Sequence, residues 1–161
     1  MGRPHTPLVD LDRIADTALL LLDKHGEFTM QEIAKRLKVN PSALYHHVKG
    51  REGVIGLLRQ RLVNTVDAAV FELQPWDEAL ASWAESYRAT FAAHSGVIQL
   101  MAKEPLREPV MHAMYDQVAG GLLAAGFRPD ETLAIITATE SFILGSALDA
   151  AAPGVMFDDV H

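Results

Sequence analysis

A chain of 161 residues with 49% hydrophobic and 22% charged side chains can bury a sizeable core and is too apolar to remain disordered. It has no cysteine, which excludes disulfide frameworks and thiolate metal sites. Its net charge of −7 is uneven: residues 1–63 carry ten Lys or Arg against seven acids, a balance of +3, and residues 64–161 carry four against fourteen, a balance of −10, so a basic head and an acidic body are expected to do different work.

The opening "MGRPHTPLVDLD" has no apolar region typical of a secretory signal, and the run Ala18 to Leu22 is far too short to span a bilayer. A cytoplasmic protein without a membrane partner is expected. Leu11, Ile14, Ala15, Ala18, Leu19 and Leu22 recur at spacings of three and four, which predicts a first amphipathic helix ending at Gly26. A second helix starts at Thr29, with Glu32 three residues on to complete a capping box and Phe28 and Ile33 at the staple positions. After "KVN", Asn40 and Pro41 predict the cap and first residue of a third helix. Two helices joined by so short a turn predict a helix-turn-helix unit, although Lys38 stands where glycine is common.

Projected at 100° per residue, Leu44, His47 and Val48 fall on the inward side of the third helix, while Ser42, Tyr45, His46 and Lys49 share the outward side. Hydroxyls, an imidazole and a base on one face suit phosphate oxygens and base edges.

The stretch "FTMQEIAKRLKVNPSALYHHVKGREGVIGLL" resembles the DNA-binding head of the tetracycline-repressor (TetR) family of transcriptional regulators. The likeness covers Leu8 to about Leu62 and continues more weakly through "PWDEALASWAESYRATFAAH" and "LLAAGFRPDETLAIITATESFILGSAL". It implies that Thr29, Tyr45, Lys49 and Arg51 hold phosphates and that Pro41, Ser42, Ala43 and His46 approach bases. Gln31 and Pro41 occupy the positions with which tetracycline-responsive members read their operator, so a different operator sequence is expected.

Beyond about Asn64 the sequence predicts further helices. One carries Trp76, Leu80, Trp83, Ala84, Tyr87 and Phe91, a short one carries "VIQLMA", one runs from about Val110 to Ala125, and one from Pro129 to about Ala152, before Pro153-Gly154. The last is apolar nearly all round, which predicts burial on two sides. Its small residues Ala134, Ala138, Ser141, Gly145 and Ala152 would form a twofold homodimer interface, and the resemblance implies dimerisation at this end. Trp83, Tyr87, Phe91, Met101, Met111, Met114, Tyr115 and Val118 suit either core packing or a small-molecule site, with Thr137 and Glu140 as polar anchors. Tetracycline-binding members place Asn, Phe, His and Gln where this chain has Trp83, Tyr87, Met101 and Val118, so an effector more apolar than magnesium-chelated tetracycline is expected.

No nucleophile elbow, zinc-protease helix or phosphate-binding glycine loop occurs in the sequence. Glu108 and His112, at i and i+4, form the one pair with metal-ligand spacing, and a surface pair is the expected reading. The sequence therefore predicts an all-α regulator without catalytic residues, metal or cofactor. Residues 1–63 form the helix-turn-helix DNA-binding head and residues 64–161 the effector-binding and dimerisation body. A homodimer would bind a palindromic DNA operator as a repressor and be released by a small apolar effector. The alternative is a helical small-molecule carrier or interaction protein that does not read DNA.

Overall fold

A computed structural model describes residues 10–101 and 108–152, and the regular structure within them is helical throughout. The first helix, α1 (Leu11–His25), starts where the Asp10 carboxylate accepts the Arg13 amide at 2.7 Å, and it ends on Gly26 at φ 76°. A side chain there would be strained in the left-handed region. Ile14, Ala15, Ala18, Leu21 and Leu22 are buried and Leu19 partly so, whereas Leu11 is exposed at the start of the predicted stripe.

The predicted capping box opens α2 (Met30–Leu37). Thr29 Oγ1 accepts the Glu32 amide at 3.2 Å while the Glu32 carboxylate accepts the Thr29 amide at 2.9 Å. Phe28 and Ile33 are both buried beside it. Lys38 ends α2 with φ 57°, so the turn takes the left-handed backbone that glycine usually supplies, at a cost of about 1 kcal/mol.

The third helix is shorter than the projection assumes. It spans only Pro41–Leu44 (α3), and although Asn40 has extended backbone at its start, its side chain makes no capping hydrogen bond. The chain then turns. The amides of His47 and Val48 both bond to the Leu44 carbonyl, at 2.9 and 3.0 Å, and Gly50 adopts φ 65° before α4 (Gly50–Val63) begins. Leu44 and Val48 are buried as expected, but His47 is exposed. The 100° step holds only while the helix continues, and His47 lies beyond its end.

α4 packs on α1 on one side and, on the other, on the body helices α6 (Trp76–Ala93), α7 (Ser95–Met101) and α8 (Pro109–Ala124). The predicted division at residue 63 falls at the end of α4, and the buried apolar side chains of head and body form one continuous cluster. A short α5 (Val70–Leu73), absent from the sequence reading, covers α6 and α8. Its Phe71 lies so near Gly121 that an added Cβ would stand 2.5 Å from the Phe71 ring.

The last described helix, α9 (Pro129–Ala151), makes its most extensive packing with α6. Within this chain it is buried on one side only, at Thr132, Ile136, Ile143 and Ala147, rather than on the two sides its composition suggests. By length and composition it is also apolar enough to cross a membrane, with a mean hydropathy of 1.4. The predicted stop at Pro153-Gly154 lies outside the described residues.

Candidate nucleic-acid interface and ligand groove

The residues nominated on the head are placed by the α2 start, by α3 and by the turn into α4. Thr29, Gln31, Pro41, Ser42, Tyr45, His46, Lys49 and Arg51 are exposed and Ala43 is half-buried. Tyr45 is 58% accessible, a large exposure for an aromatic side chain on a protein surface. Arg51 is ordered by its guanidinium lying 4.8 Å from the centre of the buried Phe28 ring, a cation–π contact. His47 joins this surface, which the helical projection missed.

Thr29 is already engaged. Its hydroxyl donates to Glu32 Oε2 at 2.7 Å, and this bond, with the Thr29 amide, holds the Glu32 carboxyl below its ordinary pKa. A phosphate can receive the Thr29 proton only if the hydroxyl turns away from Glu32.

Head and body are joined by a partly buried ion pair that links residues 49 positions apart. Arg59 on α4 is 1% exposed, and its Nη1 donates to Glu108 Oε2 at 2.7 Å while Nη2 donates to the Met101 carbonyl at 3.2 Å. Gly56 makes room for this, since a Cβ there would meet Glu108 Oε1 at 2.9 Å. Glu108 thus pairs with Arg59 rather than with His112, which is exposed. Among the described residues no group of three His, Cys, Asp or Glu could hold a metal ion.

In the body, Trp83, Tyr87, Phe91, Met111, Met114 and Val118 are all buried core residues. Trp83, Tyr87 and Phe91 form a ladder with centroid separations of 5.4 and 4.8 Å. Met101 is half-buried beside them. Tyr115, Thr137 and Glu140 differ from these in lining an open groove of about 450 Å³ between α8 and α9, together with Asp116, Leu123, Thr132, Leu133 and Ile136. Tyr87 reaches the same point from the core side: its hydroxyl donates to Glu140 Oε1 at 2.7 Å, and the Tyr115 hydroxyl donates to the same oxygen. Burial, reinforced by the neighbouring carboxylate, pushes both phenols well above their ordinary pKa, so both remain donors.

Ala134, Ala138, Ser141, Gly145 and Ala152 are exposed, on the side of α9 opposite its buried residues. Phe142 (76% accessible), Leu133 and Leu148 are exposed around them. Exposed apolar side chains grouped in this way are a feature of surfaces that associate.

Comparison with known proteins agrees with this architecture. The C-terminal domain of tetracyclin-repressor-like proteins matches residues 72–154. An HTH-type transcriptional regulator of Saccharopolyspora erythraea is 28% identical over 142 residues, covering 87% of this chain, which spans 60% of that protein's length. The class E tetracycline repressor protein of Escherichia coli is 26% identical over 145 residues, covering 88% of this chain and 68% of that one. Among solved structures, the Streptomyces coelicolor TetR family protein ActR, in complex with (S)-DNPA, superposes with a TM-score of 0.79 at 25% identity, over 91% of this chain and 73% of ActR. With more than half of its residues matched to the family's C-terminal domain and a helix-turn-helix head in front of it, this chain belongs to the tetracycline-repressor (TetR) family of transcriptional regulators.

Proposed function

We propose that the protein is a ligand-responsive regulator, most simply a repressor, that binds a palindromic DNA operator as a homodimer in the cytoplasm. The observation that carries this reading is the run of exposed Tyr45, His46, Lys49 and Arg51 at the turn between α3 and α4. They present a phenol, an imidazole, an ammonium and a guanidinium to solvent on a head whose net charge is opposite to that of the body. Tyr45, Lys49 and Arg51 contact phosphates and so position the head. Gln31, Pro41, Ser42, Ala43 and His46 face the base edges in the major groove. Thr29 joins the phosphate contacts only if its hydroxyl leaves Glu32.

The exposed small-residue stripe of α9, flanked by Phe142 and Leu148, is the surface on which a second copy docks. Such pairing sets the two heads about 34–36 Å apart, one turn of the duplex. The effector enters the α8–α9 groove and contacts Tyr115, Thr137 and Glu140. ActR was solved in complex with (S)-DNPA, which supports reading this protein as ligand-responsive. The buried set Trp83, Tyr87, Phe91, Met101, Met111, Met114 and Val118 forms the wall behind this site, so ligand-induced repacking reaches α4 through Glu108 and Arg59. The effector then favours a head spacing that no longer fits the operator.

Selection of bound duplexes from a random library at near-physiological salt tests the reading. The expected product is a twofold-symmetric site bound by a dimer. Unpatterned, salt-sensitive binding alone would move the protein to the carrier reading.

A further inference from the structure

The groove between α8 and α9 is mostly apolar, yet a carboxylate stands in its wall. Glu140 is half-buried, and its Oε1 accepts the two phenol hydrogen bonds from Tyr87 and Tyr115. Oε2 accepts no hydrogen bond from the described residues, and no Lys, Arg or His among them pairs with Glu140. Arg59, whose field reaches Tyr115, is engaged by Glu108 and by the Met101 carbonyl. Three further polar side chains border the groove: Asp116, Thr132 and Thr137. Asp116 adds a second acid, and Thr132, 4% exposed, has a hydroxyl without a hydrogen-bond partner among the described residues.

These observations discriminate between ligand classes. A wholly apolar ligand would strip water from Glu140 Oε2 and replace it with nothing, which costs free energy. An anion would be repelled by Glu140, by Asp116 and by a body whose balance is −10. A divalent metal lacks the further ligands it needs, since no cluster of three candidate side chains exists among the described residues. An organic cation meets each condition: its apolar part covers Leu123, Leu133 and Ile136, and its charge pairs with Glu140 Oε2. The volume of about 450 Å³ falls in the range of sites for drug-sized molecules.

We propose that the α8–α9 groove binds an amphiphilic organic cation, an apolar ring system carrying a protonated amine that pairs with Glu140. This sharpens the expectation of a simply apolar effector, and it rests on reading the groove as the effector site. Tyr87 and Tyr115 act as positioning residues: by donating to Oε1 from two sides they fix the carboxylate and turn Oε2 toward the ligand.

The test compares two probes of nearly equal shape, 4-phenylbutylamine and 4-phenylbutan-1-ol, by calorimetry on the full chain at neutral pH. The amine is expected to bind roughly tenfold or more tightly than the alcohol. Glu140→Gln, which keeps an oxygen to accept the phenol hydrogen bonds, should abolish the difference. Leu133→Arg, at an exposed position on the groove's wall, takes apolar contact from both probes and adds a fixed cation, so the amine should lose more affinity than the alcohol. Equal affinity for the two probes, or a preference that survives both substitutions, overturns the proposal. So does loss of self-association in Glu140→Gln with no change in probe binding, because the carboxylate then serves the dimer. The effector reading is scored separately by titrating each probe into the complex with the selected duplex. If the amine binds through Glu140 without displacing DNA, the cation site stands and the effector role falls; if both probes displace DNA equally, the effector role stands and the cation assignment falls.

Discussion

Head and body are built from the same material, short helices around one continuous apolar core, but they are specified differently. In the head, each element is set by residues a few positions apart: Asp10 caps α1, Thr29 and Glu32 box the start of α2, and Gly50 turns the chain into α4. In the body, the decisive contacts join distant residues. Glu140 meets Tyr87 across 53 positions, and Phe71 on α5 fits against Gly121 on α8. The head's elements are therefore specified by local signals, and the body's by how its helices settle together. That division suits a regulator, in which the DNA-reading surface must stay constant while the ligand site shifts between arrangements.

The largest expected effect would break this comparison on the functional side. Tyr45→Ala combined with Lys49→Ala should lower affinity for the selected duplex by about a hundredfold or more, with a shallower salt dependence. Fluorescence anisotropy would read this, while the urea midpoint and probe binding in the groove should stay unchanged because both side chains are exposed. Next comes the link between the two regions. Glu108→Gln takes the carboxylate from the guanidinium of Arg59, which is 1% exposed, and should cost about 3 kcal/mol in denaturant unfolding.

The body's dependence on long-range fit is tested by Gly121→Ala. Such a change in a helix ordinarily stabilises by up to about 1 kcal/mol, yet here the new Cβ would meet the Phe71 ring at 2.5 Å, and a net loss of about 1–3 kcal/mol is expected by thermal melting. In the head, Thr29→Ala should cost about 1 kcal/mol through the lost cap. The Glu32 carboxyl is held below its ordinary pKa by Thr29, so its capping contribution is present above the unfolded value and is lost as pH falls through the lowered folded value. The variant should accordingly show a flatter acid limb in its stability profile. The smallest effect is a gain: Lys38→Gly relieves a left-handed backbone and should stabilise by about 0.5 kcal/mol, the strain relief being partly offset by the greater freedom of the unfolded chain.

Legibility in the sequence follows the same divide. The helices α1, α2, α6, α8 and α9 were recoverable because period, caps and stops are local patterns, as Thr29, Glu32, Gly26 and Pro129 illustrate. A periodic projection points His47 inward because it cannot see that α3 ends at Leu44. The groove was partly named, through Tyr115, Thr137 and Glu140, but Asp116, Thr132 and Leu133 enter it only once α8 and α9 lie side by side. Arg59 and Glu108 carried no signal of their partnership, since nothing in a sequence marks two charges 49 residues apart as neighbours; the glycine at position 56 was the one hint that another element approaches α4 closely.

The anchoring of Arg59 also has a mechanical meaning. It lies nine residues from the head end of α4 and four from the body end, which at about 1.5 Å per residue gives arms of roughly 14 and 6 Å. Were α4 to rotate about that point, motion of the short arm would be more than doubled at the long one. A displacement of about half an ångström near Val63 would become about one ångström at Gly50, next to the turn that carries Tyr45 and Lys49.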